Sequence, residues 1–317
     1  MYYIGIDLGG TNIAVGVVDG NYRIISRSKA KTPMPCVAEQ MSALFEKLIF
    51  EALENAGLTL EDVPYIGVGV PAGIDHNSGV IGFVSNLRMH DWHLQEDLSA
   101  RLGGKKVLVE NDANAAAYGE YKAGVLAGAK NALAITLGTG IGSGIIIDGK
   151  IYTGSNFMAG EAGHTVIEFG GRECSCGRRG CWERYASATG LIQSTKEYMQ
   201  SEQGKGSAMW KLAEGDLEKV SGRTAFDAMR EGDAGGRAVV DGFIRYLGCG
   251  IANMINILQP DILCIGGGIS HEGETLLAPL REYVRREEYA HTSEKTKICK
   301  AELGNDAGII GAALLGV

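Results

Sequence analysis

The stretch that decides the fold lies near the start of the chain, at residues 3–11, Tyr-Ile-Gly-Ile-Asp-Leu-Gly-Gly-Thr. Its apolar first part predicts a buried strand over residues 3–8, and the glycines that follow predict a turn. A second apolar run, residues 13–18, ends at Asp19-Gly20, a dipeptide typical of a type I′ hairpin turn. A third strand is expected over residues 23–27. The opening therefore predicts strands joined by tight turns.

The same plan recurs in the middle of the chain. Residues 132–137 predict a strand, a Gly/Thr turn follows, residues 145–147 predict the next strand, and Asp148-Gly149 predicts another hairpin. Such self-similarity indicates two domains of like topology. A chance match among the abundant glycines is the alternative explanation.

The remaining periodic segments complete the predicted organisation. Apolar residues at helical spacing predict helices over residues 37–55, 113–123, 237–259 and 306–315, and short apolar runs predict strands over residues 66–70, 107–109 and 261–265. We expect a smaller first domain over residues 1–111, completed by a C-terminal helix at about 303–317, and a larger second domain over residues 112–302. The boundary would be a fold crossover near Asn111, because no linker-like segment separates the two.

Composition and charge exclude several classes of protein. A length of 317 residues with 45% hydrophobic and 21% charged residues suits two ordinary globular domains. The 30 basic and 38 acidic residues leave a net charge of −8, which disfavours nucleic-acid binding. No basic leader or 18-residue apolar run is present, and the seven cysteines do not suggest a secreted disulfide framework. We expect a cytoplasmic protein with no membrane partner.

Three glycine turns, each after a predicted strand, are candidates for binding phosphate. Glycine lets backbone N–H groups approach phosphate oxygens, and a threonine hydroxyl adds a donor. An acid directly before the first turn, Asp7, is placed to hold Mg²⁺ beside phosphates. Any single turn is more simply a hairpin, but three together favour nucleotide binding. Neither a dinucleotide fingerprint nor a P-loop motif occurs, which argues against those two sites. The turns consist of Gly9, Gly10 and Thr11, of Gly138, Thr139 and Gly140, and of Gly266, Gly267 and Gly268.

Asn111 and Asp112 lie where a predicted strand ends and an alanine-rich helix begins. The carboxyl ends of strands in α/β sheets face the ligand crevice, so Asp112 is a candidate general base for a substrate hydroxyl. Position alone favours the simpler role of helix N-cap for Asp112. The two roles are compatible.

One histidine and three cysteines crowd into a short stretch rich in glycine and arginine. These four side chains, His164, Cys174, Cys176 and Cys181, supply the tetrahedral set of a closed structural Zn²⁺ site. A redox role is disfavoured because the spacing is not C-x-x-C. Glu161 and Glu183 flank the site; they are ordinary surface carboxylates or acceptors for substrate hydroxyl groups. His164 is able to use one ring nitrogen for zinc and the other for substrate.

Taken together, these stretches resemble the ROK family (repressors, open reading frames, kinases). The resemblance covers essentially the whole chain, and within the family it is strongest to bacterial glucokinases. The matching motifs are DLGGTN at residues 7–12, ENDAN at 110–114, LGTGIG at 137–142, GEAGH at 160–164, CSCGRRGCWE at 174–183, GGG at 266–268 and LGNDAG at 303–308.

The resemblance implies an actin/hexokinase-like (ribonuclease H-like) α/β fold of two domains, with the active site in a cleft between them. It implies transfer of a phosphoryl group from ATP, with Mg²⁺, to a hexose, usually at the 6-hydroxyl, and a homodimer. Asp112 would be the general base. The Gly9–Asn12 and Gly138–Gly140 turns would hold phosphates, the Gly266–Gly268 turn would lie against adenosine, and zinc would fix the sugar loop. The implied sugar contacts are Asn86, Asn111, Asp112, Glu161, His164 and Glu183, and the implied phosphate contacts include Asn12.

Several alternatives stay open at this point. The acceptor sugar is glucose or, alternatively, N-acetylmannosamine, fructose or allose. Kinases for these sugars share the same polar contacts, and the sugars differ in which hydroxyl groups find partners. A non-enzymatic sugar sensor is disfavoured, because the family's repressors carry a helix-turn-helix region before the first motif and only six residues precede Asp7 here. An actin-like polymerising ATPase would leave the zinc motif unexplained.

Overall fold

The computed structural model describes residues 1–84, 89–289 and 295–317. Its internal contacts divide the chain into two compact units. The first unit consists of Met1–Ala134, Ser143–Gly160 and Ala301–Val317, and the second of Ile135–Gly142 and Glu161–Lys300. The domain boundary expected near Asn111 stays a prediction.

The described residues form strands and helices that follow one another in groups along the chain. The strands are β1 (Tyr3–Leu8), β2 (Asn12–Val18), β3 (Ile24–Lys31), β4 (Ile66–Val70), β5 (Ile74–Asp75), β6 (Val80–Val84), β7 (Met89–Trp92), β8 (Val107–Asn111), β9 (Ala132–Leu137), β10 (Ile141–Ile147), β11 (Lys150–Ile151), β12 (Ile262–Gly266) and β13 (Lys297–Lys300). The α-helices are α1 (Ala38–Ala56), α2 (Leu94–Arg101), α3 (Asp112–Ala123), α4 (Glu183–Ala186), α5 (Ala188–Gln200), α6 (Met209–Leu212), α7 (Thr224–Arg230), α8 (Ala234–Leu258), α9 (Glu274–Glu287) and α10 (Ala307–Ala313).

The first unit is built on a five-stranded sheet in the order β3-β2-β1-β4-β8. The strands β1, β2 and β3 form an antiparallel meander, and β4 and β8 run parallel to β1. Across this sheet Asp7 is paired with Gly69, and Gly69 with Glu110. The carboxyl ends of β1, β4 and β8 therefore share one edge of the sheet, where the loops that follow them come together. The first unit also holds a smaller sheet in the order β5-β6-β7.

A second five-stranded sheet has the order β11-β10-β9-β12-β13. Replacing each strand by its counterpart reproduces the order of the first sheet, as the repeated sequence pattern predicts. At the β10–β11 connection, Asp148 and Gly149 have φ angles of 50° and 76°. Positive φ at both central residues defines a type I′ turn, so the prediction for this dipeptide is confirmed.

The same prediction is wrong for the β2–β3 connection. Neither Asp19 nor Gly20 has a positive φ, and the left-handed residue is Tyr22, at φ 63°. The physical reason is the Asp19 side chain, whose Oδ1 accepts hydrogen bonds from the N–H groups of Asn21 and Arg23, both at 2.9 Å. This bonding stabilises a longer loop, because an aspartate side chain is able to replace a backbone acceptor within a turn.

Helix α1 covers one face of the first sheet. Its apolar residues recur every three or four positions, so Met41, Phe45, Leu48 and Ala52 form one stripe, and all are buried. Each large side chain removed from water in this way contributes about 1.5 to 3 kcal/mol. The helix ends at Gly57, whose φ of 67° is the left-handed conformation that glycine adopts without strain.

Helix α10 packs on β1 and β4 of the first unit at backbone contact distance. A Cβ on Gly5 would lie 1.9 Å from the carbonyl oxygen of Ile309, and one on Gly67 would lie 1.8 Å from that of Ala312. Only glycine allows the helix to approach the sheet this closely. The high glycine content thus serves helix–strand packing as well as the tight turns predicted from the sequence.

Helix α8 is the core helix of the second unit. Among the described residues it is the one helix that is long and apolar enough to cross a membrane by length and composition alone. However, 61% of its most apolar window is buried within the protein, as expected of a core helix. The indole of Trp182 packs against it, since a Cβ on Gly250 would lie 2.1 Å from that ring, and its Nε1 donates to the carbonyl of Tyr246 at 2.9 Å.

Candidate active site and metal centre

The β1–β2 turn presents exposed backbone groups on a rigid base. Gly9 N–H donates to Asn12 O at 2.9 Å, and the hydroxyl of Thr32 donates to Gly9 O at 2.7 Å. Gly10, Thr11 and Asn12 are exposed. A turn that is fixed by hydrogen bonds and exposed to solvent suits the binding of phosphate by backbone N–H groups.

Asp7 lies at the end of β1, directly before this turn. Burial raises the pKa of its carboxyl group above the ordinary value. The carboxylate lies against Gly308, where an added Cβ would be 2.8 Å from the Asp7 carboxyl carbon. A bound cation would offset the cost of keeping this buried group charged, and one carboxylate beside phosphate oxygens is a donor set that Mg²⁺ commonly uses. The residues present therefore fit a magnesium ion.

The N-cap of α3 is Asn111, so the sequence prediction that Asp112 caps this helix is wrong. Asn111 Oδ1 accepts from the N–H groups of Ala113 at 2.9 Å and Asn114 at 3.1 Å, and its Nδ2 donates to Ala72 O at 3.3 Å. Asp112 is the first helical residue, and its Oδ1 accepts from Ala113 N–H at 2.8 Å. Since Asn111 satisfies two orphan N–H groups, the cap does not require the Asp112 carboxylate.

The residue before this pair, Glu110, is not among the predicted site residues. It is buried, with 5% of its surface exposed, and it binds the first turn of α3 and His76. An acidic residue at the end of an otherwise apolar strand is a signal that identifies such a position, because a buried carboxylate requires partners.

In the second unit, two glycine turns lie side by side at the ends of β9 and β12. A Cβ on Gly267, whose φ is 82°, would lie 2.4 Å from Leu137 O, directly before the Gly138–Gly140 turn. That turn is tied back by a bond from Ala188 N–H to Gly138 O at 2.9 Å, while Thr139 is exposed. Two adjacent turns of this kind suit a ligand with several phosphate oxygens.

The carboxylate of Glu183 lies against the Gly138–Gly140 turn, since a Cβ on Gly140 would be 2.4 Å from Glu183 Oε2. Glu183 Oε1 accepts a hydrogen bond from Cys174 Sγ at 3.1 Å and lies 3.7 Å from His164 Nδ1. On the other side of the imidazole ring, His164 Nε2 is 3.9 Å from Glu161 Oε2. The structure thus brings the two acidic residues predicted to bind hydroxyl groups to opposite sides of one histidine.

The four predicted metal ligands form one cluster. The ligand atoms of His164, Cys174, Cys176 and Cys181 all lie within 4.8 Å of one another. The Cys174 Sγ to His164 Nδ1 distance and the Cys176 to Cys181 Sγ distance are both 3.6 Å. Tetrahedral Zn–S bonds of about 2.3 Å place two sulfur atoms about 3.8 Å apart. The cluster has the dimensions of a Cys₃His metal site, and His164 Nε2 stays available for a second partner.

Residues 164–183, which we call the metal loop, fold back as a small hairpin. Isolated bridges pair Val166 with Cys181 and Glu173 with Arg179. Gly180 has a φ of 80°, and a Cβ there would lie 1.8 Å from Glu168 O. Glycine is therefore required where the two arms of the loop cross.

Arg172 anchors the metal loop to α5. Its Nη1 donates to Arg184 O at 2.8 Å, and its Nη2 donates to Ser194 Oγ at 3.0 Å and to Glu197. The guanidinium lies 4.8 Å from the ring centroid of Tyr185, whose hydroxyl accepts from Arg172 N–H at 2.6 Å. Planar guanidinium groups suit such combinations of fork-like bonding and stacking.

The predicted site residues thus fall into two groups. Asp7, Gly9–Asn12, Asn111 and Asp112 belong to the first unit, where they lie at or beside one sheet edge. The second unit holds the other group, which consists of Gly138–Gly140, Gly266–Gly268, Glu161, His164, Glu183 and the three cysteines. Asn86, the remaining predicted sugar contact, lies outside the described residues.

The chain is similar to known proteins along almost its whole length. The glucokinase of Thermotoga maritima is 38% identical over 313 residues, which cover 98% of this chain and 95% of that protein. A crystal structure of a ROK family glucokinase from Streptomyces griseus in complex with glucose and AMPPNP has a TM-score of 0.83 at 35% identity and covers 99% of both chains. The ROK hexokinase of Thermus thermophilus has a TM-score of 0.81 at 31% identity, over 99% of this chain and 97% of its own.

These likenesses confirm the predicted two-domain, actin/hexokinase-like α/β fold. The family model described as "ROK family" matches residues 3–316. The match takes in all three glycine turns, the Asn111-Asp112 pair and the metal loop. Since it extends over nearly the whole chain, this protein belongs to the ROK family.

Proposed function

We propose that this protein transfers the γ-phosphoryl group of ATP to a hexose, with the 6-hydroxyl of glucose as the acceptor. The observation that carries the proposal is its similarity along almost the whole chain to a glucokinase whose crystal structure holds glucose and AMPPNP. Each role that the reaction requires can be assigned to a residue of this chain.

Asp112 is the general base. Its carboxylate accepts the proton of the sugar hydroxyl as that oxygen bonds to the γ-phosphorus, and the bond from the γ-phosphorus to the bridging oxygen of ADP breaks. The proton then passes from Asp112 to solvent, and the products are the sugar phosphate and ADP. Asp112 is the first residue of α3, and the helix is capped by Asn111 rather than by this base.

The sugar hydroxyls are bound by polar side chains. Carboxylate and amide oxygens accept hydrogen bonds from them, and His164 Nε2–H donates one. The residues are Asn86, Asn111, Glu161, His164 and Glu183. Backbone N–H groups of the Gly9–Asn12 and Gly138–Gly140 turns hold the phosphates, and the Gly266–Gly268 turn lies against adenosine. Asp7 would hold Mg²⁺, and the ion would neutralise the phosphate charge. His164, Cys174, Cys176 and Cys181 hold a structural Zn²⁺ ion.

The test is a coupled assay of ADP formation with and without hexose. The Asp112→Asn variant should lose about 10²- to 10⁴-fold in kcat while its circular dichroism and Tm stay close to wild type, because the cap is retained. ATP hydrolysis by the wild-type protein at the same rate without sugar contradicts the proposal, as does full activity of Asp112→Asn.

The choice among hexoses is tested by comparing kcat/KM for glucose, fructose, allose and N-acetylmannosamine. Glucose should give the highest value, and a higher value for another sugar would reassign the substrate within the same mechanism.

We also propose that the protein is cytoplasmic and forms a homodimer. Sedimentation analysis tests the homodimer. A salt-dependent shift of duplex DNA by the purified chain would favour a regulator instead.

A further inference from the structure

Glu110 is a buried carboxylate beside the proposed general base. It is the residue before the end of β8, and only 7% of its side chain is exposed. Transferring a carboxylate out of water is unfavourable by several kcal/mol unless charge partners and hydrogen bonds replace the water. The partners of Glu110 therefore indicate what its charge does.

Two of these partners frame Asp112 along the chain. Glu110 Oε1 accepts from the Asn111 N–H at 2.8 Å and from Asn114 Nδ2 at 3.0 Å. One donor precedes Asp112 and the other follows it within the first turn of α3. Asn111 Oδ1 in turn accepts from Asn114 N–H at 3.1 Å, so the turn is closed by a ring of hydrogen bonds.

The third partner of Glu110 is His76. His76 Nε2 lies 3.5 Å from Glu110 Oε2. The hydrogen bond to Glu110 raises the pKa of His76, although burial opposes it, and the charges of Glu110 and Asp75 act in the same direction as the hydrogen bond. The imidazole is held from the other side by the ring of Phe157, at 5.0 Å between centroids.

We propose that Glu110 is a positioning residue: its carboxylate locks the first turn of α3 and so sets the orientation of Asp112 for proton transfer, while His76 contacts its other oxygen. This inference rests on the proposed role of Asp112. A displacement of a reacting group by about 1 Å is enough to lower a rate by about 100-fold. The turn that carries Asp112 is therefore a place where small movements have large kinetic effects.

The chain offers a matched control in a second buried glutamate, which lies in α3 itself. Glu120 lies in α3 two turns after Asp112, is 2% exposed, and accepts from Leu303 N–H at 2.7 Å and Val125 N–H at 3.1 Å. Removing either carboxylate deprives at least two hydrogen-bond donors of their acceptor. Only Glu110 binds the turn that holds the base, so only its removal should change catalysis.

The experiment compares Glu110→Leu, Glu110→Gln and Glu120→Leu by kcat and KM at a temperature well below each Tm. We expect Glu110→Leu to lower kcat by about 100-fold with little change in KM for ATP. Glu110→Gln keeps an oxygen acceptor and should recover kcat to within about fivefold of wild type. Glu120→Leu should lower Tm and leave kcat unchanged.

A role in stability alone would give Glu110→Leu a lower Tm and a wild-type kcat, which overturns the proposal. Equal losses in Glu110→Gln and Glu110→Leu also overturn it, because the hydrogen bonds would then not be the cause. If Glu110→Leu does not fold, Asn114→Ala removes one of the two donors and should lower kcat by about threefold to tenfold; a wild-type kcat in that variant overturns the proposal as well.

Failure of the proposed function is distinguishable from failure of this inference. If wild type shows no sugar-dependent ADP formation, the kinase proposal fails. The effect of Glu110 on the turn is then measured by hydrogen exchange at the backbone amide of Asn111, followed by NMR. Its proton should exchange slowly in wild type and faster in Glu110→Leu, and equal exchange rates refute the role of Glu110.

Discussion

The substitution Arg172→Ala tests whether the metal loop is held in shape before any metal binds. The side chain of Arg172 is largely buried and bonds to a carbonyl of α4 and a hydroxyl of α5. Hydrogen bonds from charged groups contribute about 1.5 kcal/mol or more each, and stacking on Tyr185 adds about 0.5 to 1 kcal/mol. The ion pair with Glu197, whose carboxylate is half exposed, adds little.

These contributions amount to at least about 3.5 kcal/mol of loop anchoring. In the variant, a metal ion has to order a loop that Arg172 holds in wild type, and about 1.4 kcal/mol corresponds to a tenfold change in Kd. We therefore expect Zn²⁺ to bind about 300-fold more weakly to Arg172→Ala. Arg172→Lys keeps the charge but loses the planar fork, and should weaken binding by about tenfold.

The assay is competition for Zn²⁺ between the protein and a chromogenic chelator, which does not depend on enzymatic activity. The control is Arg179→Ala, which removes an arginine of the same loop whose side chain is exposed and pairs with the exposed Glu173. That variant should bind Zn²⁺ as wild type does. A Kd for Arg172→Ala within about threefold of wild type would refute the reasoning, since the loop would then keep its shape without the anchor.

Two further predictions concern the first unit. Gly308→Ala places a methyl group 2.8 Å from the Asp7 carboxyl carbon, so we expect the KM for Mg-ATP to rise about tenfold with the KM for sugar unchanged, and equal changes in both constants would contradict this. The pKa of His76 is raised in the folded state by its hydrogen bond to Glu110, so its contribution to stability is complete below about pH 6.5 and is lost as the pH rises through the folded-state pKa. Urea unfolding should therefore show a larger difference between wild type and His76→Gln at about pH 5.5 than at about pH 8.5; a difference independent of pH would exclude this linkage.

The two Asp-Gly pairs show how far local sequence determines a turn. Both pairs follow apolar strands and both predict a type I′ turn, yet only Asp148-Gly149 forms one. At Asp19 the side chain accepts from two later N–H groups and stabilises a longer loop. The competition is between a side-chain acceptor and a backbone acceptor of similar strength, so the dipeptide alone does not decide it.

The metal ligands could be predicted because their spacing and residue types carry the chemistry directly, and the structure brings all four together. The roles of Glu110 and Arg172 could not be predicted, because these roles depend on partners that only the folded chain supplies. Arg172 meets a hydroxyl 22 positions later, and Glu110 meets His76 from a separate hairpin. The cap of α3 was misassigned by one residue, since Asn111 and Asp112 are both good N-cap residues and only the backbone angles select one.

Helix α10 has a consequence for how the protein is made. It contacts β1 and β4 at backbone distance, yet residues 301–317 leave the ribosome after all of 161–300. At about 5 to 20 residues per second, the strands of the first unit wait roughly 10 to 30 s for the helix that covers them. During synthesis the nascent chain therefore displays an uncovered apolar sheet face, a natural substrate for chaperones, and a premature stop codon just upstream of α10 should yield an aggregating product.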